Sequence, residues 1–220
     1  MNGTSPHYNE LVKGFENNHV FCHMPPYDLY RKWLEAVWSF LNAVHDCQGF
    51  VDCLSKYSRA EGEEFSRLFD LYTSCVEAMP FQDILGQLFM RLDVNSASSG
   101  QYFSPFEIAE LMARMQFDRE HFARLAEEKG VVTVCDPAVG SGVMLLAYAK
   151  IVNESLGRWY VNKLRLYGMD IDIRCVHMCS IQLRMNGLDA FGRIAGMLGN
   201  MKQDIMLNPG RQLDLPGVAA

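Results

Sequence analysis

An acidic residue followed by a glycine-rich turn carries the clearest chemistry in this sequence. The stretch CDPAVGSGVMLLAYA, residues 135–149, follows an apolar run and leads into an amphipathic segment. Asp136 ends the apolar run, and Gly140 and Gly142 let the backbone pass close to a ligand. The turn lacks both the GxGxxG pattern of dinucleotide sites and the lysine of a phosphate-binding loop. An acid here suits a cationic or amino-bearing ligand better than a pyrophosphate.

A second acidic residue, Asp170, ends the stretch KLRLYGMDID. In open α/β sheets, ligands bind beyond the carboxyl ends of the strands, where a carboxylate can accept hydrogen bonds from both ribose hydroxyls. Asp136 and Asp170 together fit S-adenosylmethionine (SAM), which carries an ammonium group and a ribose. Other roles stay open, because Asp170 could instead cap the next helix and the glycines could simply form a strand-to-helix turn.

The residues after Gly130 alternate between strand and helix patterns, which would place both acids at one sheet edge. VVTVCD is short and β-rich, as in a buried parallel strand. The predicted strands are VVTVCD, KLRLYGMDID, GRIAGML and QDIMLNP, and the predicted helices between them cover about residues 142–156 and 173–186. This alternation is typical of a doubly wound α/β sheet.

The preceding part of the chain is predicted to be helical after an irregular start. Residues 1–26 are polar and irregular and end at Pro25-Pro26. Apolar residues at spacings of three and four then predict helices at about residues 27–44, 63–79, 83–92, 104–115 and 121–129. Ser104 is predicted to cap the fourth of these helices, with Pro105 at its first position. We therefore predict a helical region at residues 1–95 and an α/β domain at residues 96–220.

Composition limits the classes of function. The net charge of −6 gives little non-specific attraction to DNA phosphates, so any DNA binding should be local or supplied by a partner chain. We find no secretory signal and no apolar run long enough for a membrane span, and seven cysteines without a compact framework suit the reducing cytoplasm. Two groups of histidine and cysteine residues lie close together in the sequence: His19, Cys22 and His23, and His45, Cys47 and Cys53. Neither group has the paired CxxC spacing of a structural zinc site, so we predict no metal.

Four short motifs resemble those of the N6-adenine DNA methyltransferases, including type I modification subunits, and they occur in the family's order. They are QDILGQLF, GQYFSP, DPAVGSG and YGMDID, which are similar to the family's D-LG stretch, GQFFTP box, DPACGSG motif and ribose-acid motif. The resemblance covers about residues 80–190 and is close to the "N-6 DNA methylase" type of phages and plasmids. It implies a Rossmann-like SAM-dependent methyltransferase fold with a truncated sheet.

The resemblance also implies that SAM is the cofactor. The box GQYFSP would contact the methionine end of SAM, and Asp170 would bind its ribose. The implied cofactor-binding residues are Gln101, Tyr102, Phe103, Ser104, Asp136, Ala138, Gly140, Gly142, Asp170 and Ile171. From the residues alone, Tyr102 and Phe103 would ordinarily be core aromatics.

The family's second box, Asn/Asp-Pro-Pro followed by an aromatic residue, orients the adenine amino group and stacks on the flipped base. MPPY, residues 24–27, lacks the hydrogen-bond acceptor and lies upstream of GQYFSP, so we interpret it as the break before the first long helix. DIMLNPGRQ lies in the right place, with Asn208 and Pro209 as a degenerate catalytic pair. In this stretch Gly210 replaces the second proline and Arg211 replaces the aromatic residue.

Three interpretations of function remain open. In the first interpretation, the chain is a DNA adenine N6-methyltransferase whose remaining parts, such as a specificity or restriction subunit, come from another chain. Alternatively, it is a catalytically silent relative that binds SAM and modulates restriction-modification through a protein partner, or a decaying gene product. The intact SAM motifs favour the first interpretation. Arg211 and the expected early end of the sheet, without a target-recognition domain, favour the second.

Overall fold

The computed structural model describes residues 5–92 and 103–194, with the backbone alone for residues 189–194. A helical part precedes a parallel α/β part, as the sequence predicts. The elements are α1 (Pro6–Glu16), α2 (Pro26–Leu41), α3 (Cys47–Leu54), α4 (Arg59–Ala78), α5 (Ile84–Leu92), α6 (Phe106–Gln116), α7 (Arg119–Lys129), β1 (Val132–Asp136), α8 (Val143–Leu156), α9 (Arg158–Val161), β2 (Leu164–Asp170), α10 (Ile173–Met185) and β3 (Asp189–Ile194).

The described strands form one parallel sheet in the order β1-β2-β3. Val132 pairs with Leu164 at the start of β1, and Arg165 pairs with Asp189 at the start of β3. Helices α8 and α9 connect β1 to β2, and α10 connects β2 to β3. Parallel neighbours joined by helical crossovers form the first half of a Rossmann-like sheet, which confirms the predicted α/β class.

The first and third predicted strands differ from the structure in part. The prediction that the first strand is buried is wrong within the described part of the chain, because Thr133 and Cys135 are exposed and no described element covers their face of β1. The predicted third strand at residues 192–198 overlaps β3, which begins earlier, at Asp189. The predicted fourth strand, residues 203–209, lies outside the described residues.

The first 26 residues are not irregular as predicted, because they contain the helix α1. Its buried face includes Leu11, Val12 and Phe15, and the Phe15 ring packs edge-on against Trp33 with a centroid distance of 5.4 Å. The apolar positions Tyr8, Leu11, Val12 and Phe15 follow the three- and four-residue spacing of a helix directly after Pro6. A second unpredicted helix, α3, is only eight residues long, too short for a periodic pattern to stand out.

Two helix starts, those of α2 and α6, lie close to the predicted positions, with one correction. Helix α2 begins at Pro26, within the MPPY stretch where we inferred the break and one residue before the predicted start. Helix α6 begins at Phe106 with Pro105 as its N-cap, and the prediction that Ser104 caps this helix is wrong. Pro105 has ψ 140° and is therefore extended, so Ser104 lies one position too early for its hydroxyl to serve as the N-cap.

Helix α10 belongs to both hydrophobic cores. Cys175, Met178 and Ile181 pack in the core of the N-terminal helices, which is centred on the fully buried Trp33 and its neighbours. Cys179 and Leu183, one turn away on the same helix, pack in the core of the α/β part. Helix α10 is therefore common to the core of the helical part and the core of the α/β part. The predicted domain boundary between residues 95 and 96 lies outside the described residues and stays a prediction.

Because α10 is shared, we predict that the two parts unfold together. Met178→Ala should lower the free energy of unfolding by about 2–4 kcal/mol, since a fully buried methionine leaves a cavity. Urea unfolding should show one transition, with coincident curves from far-UV circular dichroism and from the fluorescence of the three tryptophans.

The matched control is Ile108→Ala, which truncates a side chain that is 49% exposed on α6. It should change the free energy of unfolding by less than about 0.5 kcal/mol. Separate transitions for the helical and α/β parts in the parent protein would contradict a shared core.

Candidate functional site

The turn after β1 is held tightly between β2 and α10. The Val139 amide donates a hydrogen bond to the Met169 carbonyl of β2 at 2.9 Å, and the Gly142 amide donates to the Val139 carbonyl at 2.9 Å. Gly140 and Gly142 have φ angles of 53° and 97°, which side-chain-bearing residues rarely adopt. A Cβ atom on Gly142 would also lie 3.2 Å from the Cα atom of Cys179. Both glycines are therefore needed for this turn.

The two predicted acids lie at the carboxyl ends of adjacent strands, on either side of the turn. Asp136 Oδ1 accepts a hydrogen bond from the Ala138 amide at 3.0 Å. Asp170 Oδ2 accepts one from the Gly140 amide at 2.9 Å, and its Oδ1 accepts one from the Asp172 amide at 2.9 Å. A carboxylate has about four acceptor positions, so Asp170, which is partly exposed, retains capacity for hydroxyl donors.

Asp170 does not cap the following helix. Asp172 does so instead, since its carboxylate accepts a hydrogen bond from the Arg174 amide at 2.9 Å. The alternative role that the sequence left open for Asp170 therefore falls to the residue two positions later. Asp170 is tied to the glycine turn rather than to α10.

Two apolar side chains lie at the same edge of the sheet. The Phe103 ring packs so close to Gly140 that a Cβ atom there would lie 3.1 Å from Phe103 Cδ1. On its other flank Phe103 meets Phe89 of α5, with ring centroids 5.3 Å apart. Ile171, directly after Asp170, is 66% exposed. An exposed isoleucine beside a carboxylate offers an apolar surface to a ligand.

Several predicted site residues thus come together, although their roles in binding stay predictions. Phe103, Asp136, Ala138, Gly140, Gly142, Asp170 and Ile171 all lie at or against the turn and the carboxyl edge of β1 and β2. Ser104 is exposed and lies just before α6. Gln101, Tyr102, Asn208 and Pro209 lie outside the described residues.

Sequence reasoning missed a buried polar network behind the turn. Asp83, which precedes α5, is 3% exposed. Its Oδ2 accepts a hydrogen bond from Ser141 Oγ at 2.8 Å, and its Oδ1 accepts bonds from Gln182 Nε2 at 2.8 Å and from the Gly86 amide at 3.0 Å. The signal was present in the stretch QDILGQLF, where Asp83 and Gly86 are the acid and the glycine of the D-LG pattern.

Burial raises the pKa of Asp83 above its ordinary value of 3.8, while the hydrogen bonds from Gln182, Ser141 and the Gly86 amide act in the opposite direction. In the described part of the chain, no lysine, arginine or histidine side chain donates a hydrogen bond to this carboxylate. The network therefore relies on neutral donors to stabilise the charge, which makes each donor costly to remove.

The tyrosine of MPPY also approaches this edge of the sheet. Tyr27, in the first turn of α2, accepts a hydrogen bond from Arg174 Nη1, and Arg174 also forms an ion pair with Asp172. The Tyr27 ring meets Phe89 edge-on, with centroids 5.6 Å apart. Helix α2 is thereby fixed beside the residues that follow Asp170.

A family model described as N-6 DNA Methylase matches residues 80–204 of this chain, which is more than half of its length. The chain belongs to the N-6 DNA methylase family. This family membership implies SAM as the cofactor and agrees with the turn and the two acids at the strand ends. The match begins just before Asp83, so the buried network lies within the family region.

Among solved structures, the chain is similar to a Listeria monocytogenes protein described as a candidate class I S-adenosylmethionine-dependent methyltransferase. The two share 14% sequence identity with a TM-score of 0.44. The alignment covers 90% of this chain and 57% of that one, so this chain spans little more than half of that protein's length.

Neither a membrane-spanning helix nor a cluster of metal-binding side chains occurs among the described residues. No helix there is long and apolar enough to cross a membrane. No group of three or more histidine, cysteine, aspartate or glutamate side chains in those residues is arranged to hold a metal ion.

The buried carboxylate of Asp83 predicts a pH-dependent stability. An acid whose pKa is raised by folding binds its proton more tightly in the folded state, so stability falls as pH rises from 3.8 through the raised pKa. Asp83→Asn removes this charge and can keep all three contacts if the Ser141 hydroxyl rotates to accept. Urea unfolding across this pH range should therefore show the asparagine variant gaining stability relative to the parent as pH rises.

Asp83→Ala is the comparison variant. It leaves Ser141 Oγ and Gln182 Nε2 without this acceptor, and should cost about 1–3 kcal/mol or more at neutral pH. A difference between the asparagine variant and the parent that stays constant with pH would show that the Asp83 pKa is not raised.

Proposed function

We propose that this chain binds SAM at the carboxyl edge of β1 and β2 and forms the cofactor-binding part of a SAM-dependent DNA adenine N6-methyltransferase. The observation that carries the proposal is the placement of Asp136 and Asp170 on adjacent parallel strands, on either side of a glycine turn. Ligands of α/β sheets bind at this edge. Membership of the N-6 DNA methylase family supports the same cofactor.

Each residue at the edge has a chemical role in this proposal. Asp170 accepts hydrogen bonds from the ribose hydroxyls through the acceptor positions that Gly140 and Asp172 leave open. Asp136 would attract the ammonium group of the methionine part by its opposite charge. Ile171 would offer the adenine ring an apolar surface, and Phe103 would line the methionine end. The bound sulfonium supplies an electrophilic methyl group for transfer to an amine.

The proposed contacts with the target adenine base rest on sequence alone. In the family's pattern, Asn208 would accept a hydrogen bond from the adenine amino group, and an aromatic residue at position 211 would stack on the base. This chain has Arg211 instead, and Gly210 in place of a proline. We therefore propose that the chain alone handles double-stranded DNA poorly and that a partner chain supplies the missing base and phosphate contacts.

A second candidate function follows from Arg211. An arginine donates hydrogen bonds where a flat apolar ring is expected, which favours a catalytically silent relative. Such a protein binds SAM and modulates restriction-modification through a protein partner. Both candidates require the same cofactor edge, so cofactor binding alone does not separate them.

The first test is cofactor binding. Isothermal titration with S-adenosylmethionine or S-adenosylhomocysteine should show one site per chain. Asp170→Ala should weaken binding by about 1–3 kcal/mol, because the ribose hydroxyls lose a charged acceptor. Absence of binding by the parent at millimolar ligand would contradict the proposed function.

Asp118→Ala is the matched control. Asp118 also accepts a backbone hydrogen bond, from the His121 amide at 2.8 Å, but it caps α7 rather than the site. Its replacement should leave the affinity for SAM unchanged. Equal affinities for all three proteins would remove Asp170 from the site.

The second test separates the two candidate functions. The chain is incubated with tritiated SAM and unmethylated genomic DNA, in double-stranded and single-stranded form. We expect little incorporation into the duplex, since base flipping costs a few kcal/mol and Arg211 replaces the stacking ring. Incorporation into single strands, where an arginine can stack on a free base, would support the methyltransferase, provided that Asn208→Ala abolishes it.

Robust methylation of the duplex that depends on Asn208 would show that the shortened box works without a partner. Binding of SAM with no incorporation into either form of DNA would instead favour the silent relative.

A further inference from the structure

We propose that Asp83 is a positioning residue for the turn between β1 and α8, residues 137–142, which we call the cofactor turn. It holds Ser141, and with it the backbone between Gly140 and Gly142, in the shape that binds SAM, without contacting the cofactor itself. The inference rests on the proposed function, because the turn is the proposed SAM site. Its consequence is that the N-terminal helices, to which Asp83 belongs, form a structural part of the cofactor site.

Ser141 is held at two points. Its hydroxyl donates to Asp83 Oδ2 at 2.8 Å, and its carbonyl accepts a hydrogen bond from Gln182 Nε2 at 2.8 Å. The side chain is fully buried, between two glycines that have left-handed backbone conformations. Glycine-flanked backbone has many accessible conformations, so these two hydrogen bonds select one of them.

The amide of Gln182 has a single orientation that satisfies its neighbours. Its Oε1 accepts a hydrogen bond from the Leu85 amide at 3.0 Å, while its Nε2 donates to both Asp83 and Ser141. The side chain therefore connects α5, α10 and the cofactor turn. A rotated amide would place its oxygen against the Asp83 carboxylate and the Ser141 carbonyl, and its NH2 group against the Leu85 amide, so all three hydrogen bonds would be lost.

The close fit at Gly86 shows that α5 must approach the turn directly. A Cβ atom on Gly86 would lie 2.3 Å from Asp83 Oδ2 and 2.6 Å from Ser141 Oγ. Any larger residue would thus displace the carboxylate from the serine. This accounts for the glycine of the D-LG pattern as a residue that admits the Asp83–Ser141 contact.

The titratable groups that interact electrostatically with Asp83 in the described residues are phenols and thiols. Titratable groups near the carboxylate are Tyr8 of α1, Tyr30 of α2, Tyr72 of α4, and Cys175 and Cys179 of α10. Burial raises the pKa of each of these phenols and thiols. Polar stabilisation of Asp83 in the described residues therefore comes from the donors that also fix the turn.

The experiment measures two properties of four variants, Asp83→Ala, Asp83→Asn, Ser141→Ala and Leu68→Ala. The first property is hydrogen exchange of the Gly140 and Gly142 amides in the ligand-free protein, because the Gly140 amide donates to Asp170 and the Gly142 amide donates to the Val139 carbonyl. The second is the dissociation constant for SAM. Leu68→Ala is the structural control, since Leu68 is fully buried among the N-terminal helices and hydrogen-bonds to no part of the turn.

We expect Asp83→Ala and Ser141→Ala to weaken SAM binding by about tenfold or more and to speed exchange of the two amides. Combining them should weaken binding no further than either alone, because both remove the same contact. Asp83→Asn should stay within about threefold of the parent, which would show rescue by a residue that keeps the contacts. Leu68→Ala should bind like the parent despite its lower stability.

Parental affinity in Ser141→Ala and Asp83→Ala would overturn the proposal, as would equal weakening in Leu68→Ala, which would indicate a global effect. If Asp83→Ala does not fold, the SAM affinity and amide exchange of Ser141→Ala are compared with those of Asp83→Asn. If the parent does not bind SAM, the proposed function fails, and amide exchange alone decides whether Asp83 fixes the turn.

Discussion

The buried carboxylate of Asp83 is the interaction on which the site depends. It lies where the N-terminal helices, the cofactor turn and α10 meet, and it accepts hydrogen bonds from Ser141, Gln182 and the Gly86 amide. A buried charge is stabilised only when its donors are correctly placed. The carboxylate therefore requires the three segments to dock in one arrangement, and that arrangement shapes the proposed SAM site.

The same docking explains why the chain has a helical region before its sheet. Phe89 of α5 contacts both Phe103, which lies against the turn, and Tyr27 of α2. Tyr27 in turn accepts a hydrogen bond from Arg174, four residues after Asp170. The N-terminal helices thus pack beside the carboxyl ends of the strands, and α10 provides the packing surface for both cores.

Much of the fold could be predicted because local patterns and tertiary packing agree in it. The strand and helix patterns after Gly130 led to the parallel sheet, and the glycines and acids led to the edge where they meet. Helix α1 was missed although Tyr8, Leu11, Val12 and Phe15 have helical spacing, because the prediction for residues 1–26 rested on their polar composition. The assignment of Ser104 failed because Pro105 adopts an extended conformation, which its sequence position does not reveal.

The buried network could not be predicted from spacing. Asp83, Ser141 and Gln182 are far apart in the chain, and each is a residue type that is ordinarily exposed. Only the tertiary fold brings them together. The D-LG resemblance marked the region but gave no physical reason for its acid and glycine, and the structure supplies that reason.

In the proposed arrangement, the turn held by Asp83 binds the nucleoside and methionine parts of SAM at the ends of β1 and β2. A crystal structure of the chain with S-adenosylhomocysteine would show whether it does. We expect a ligand whose ribose hydroxyls lie within hydrogen-bonding distance of Asp170, above an unchanged Asp83–Ser141 contact. A ligand bound away from the turn, or a turn that binds it only after the Asp83–Ser141 contact breaks, would contradict this arrangement.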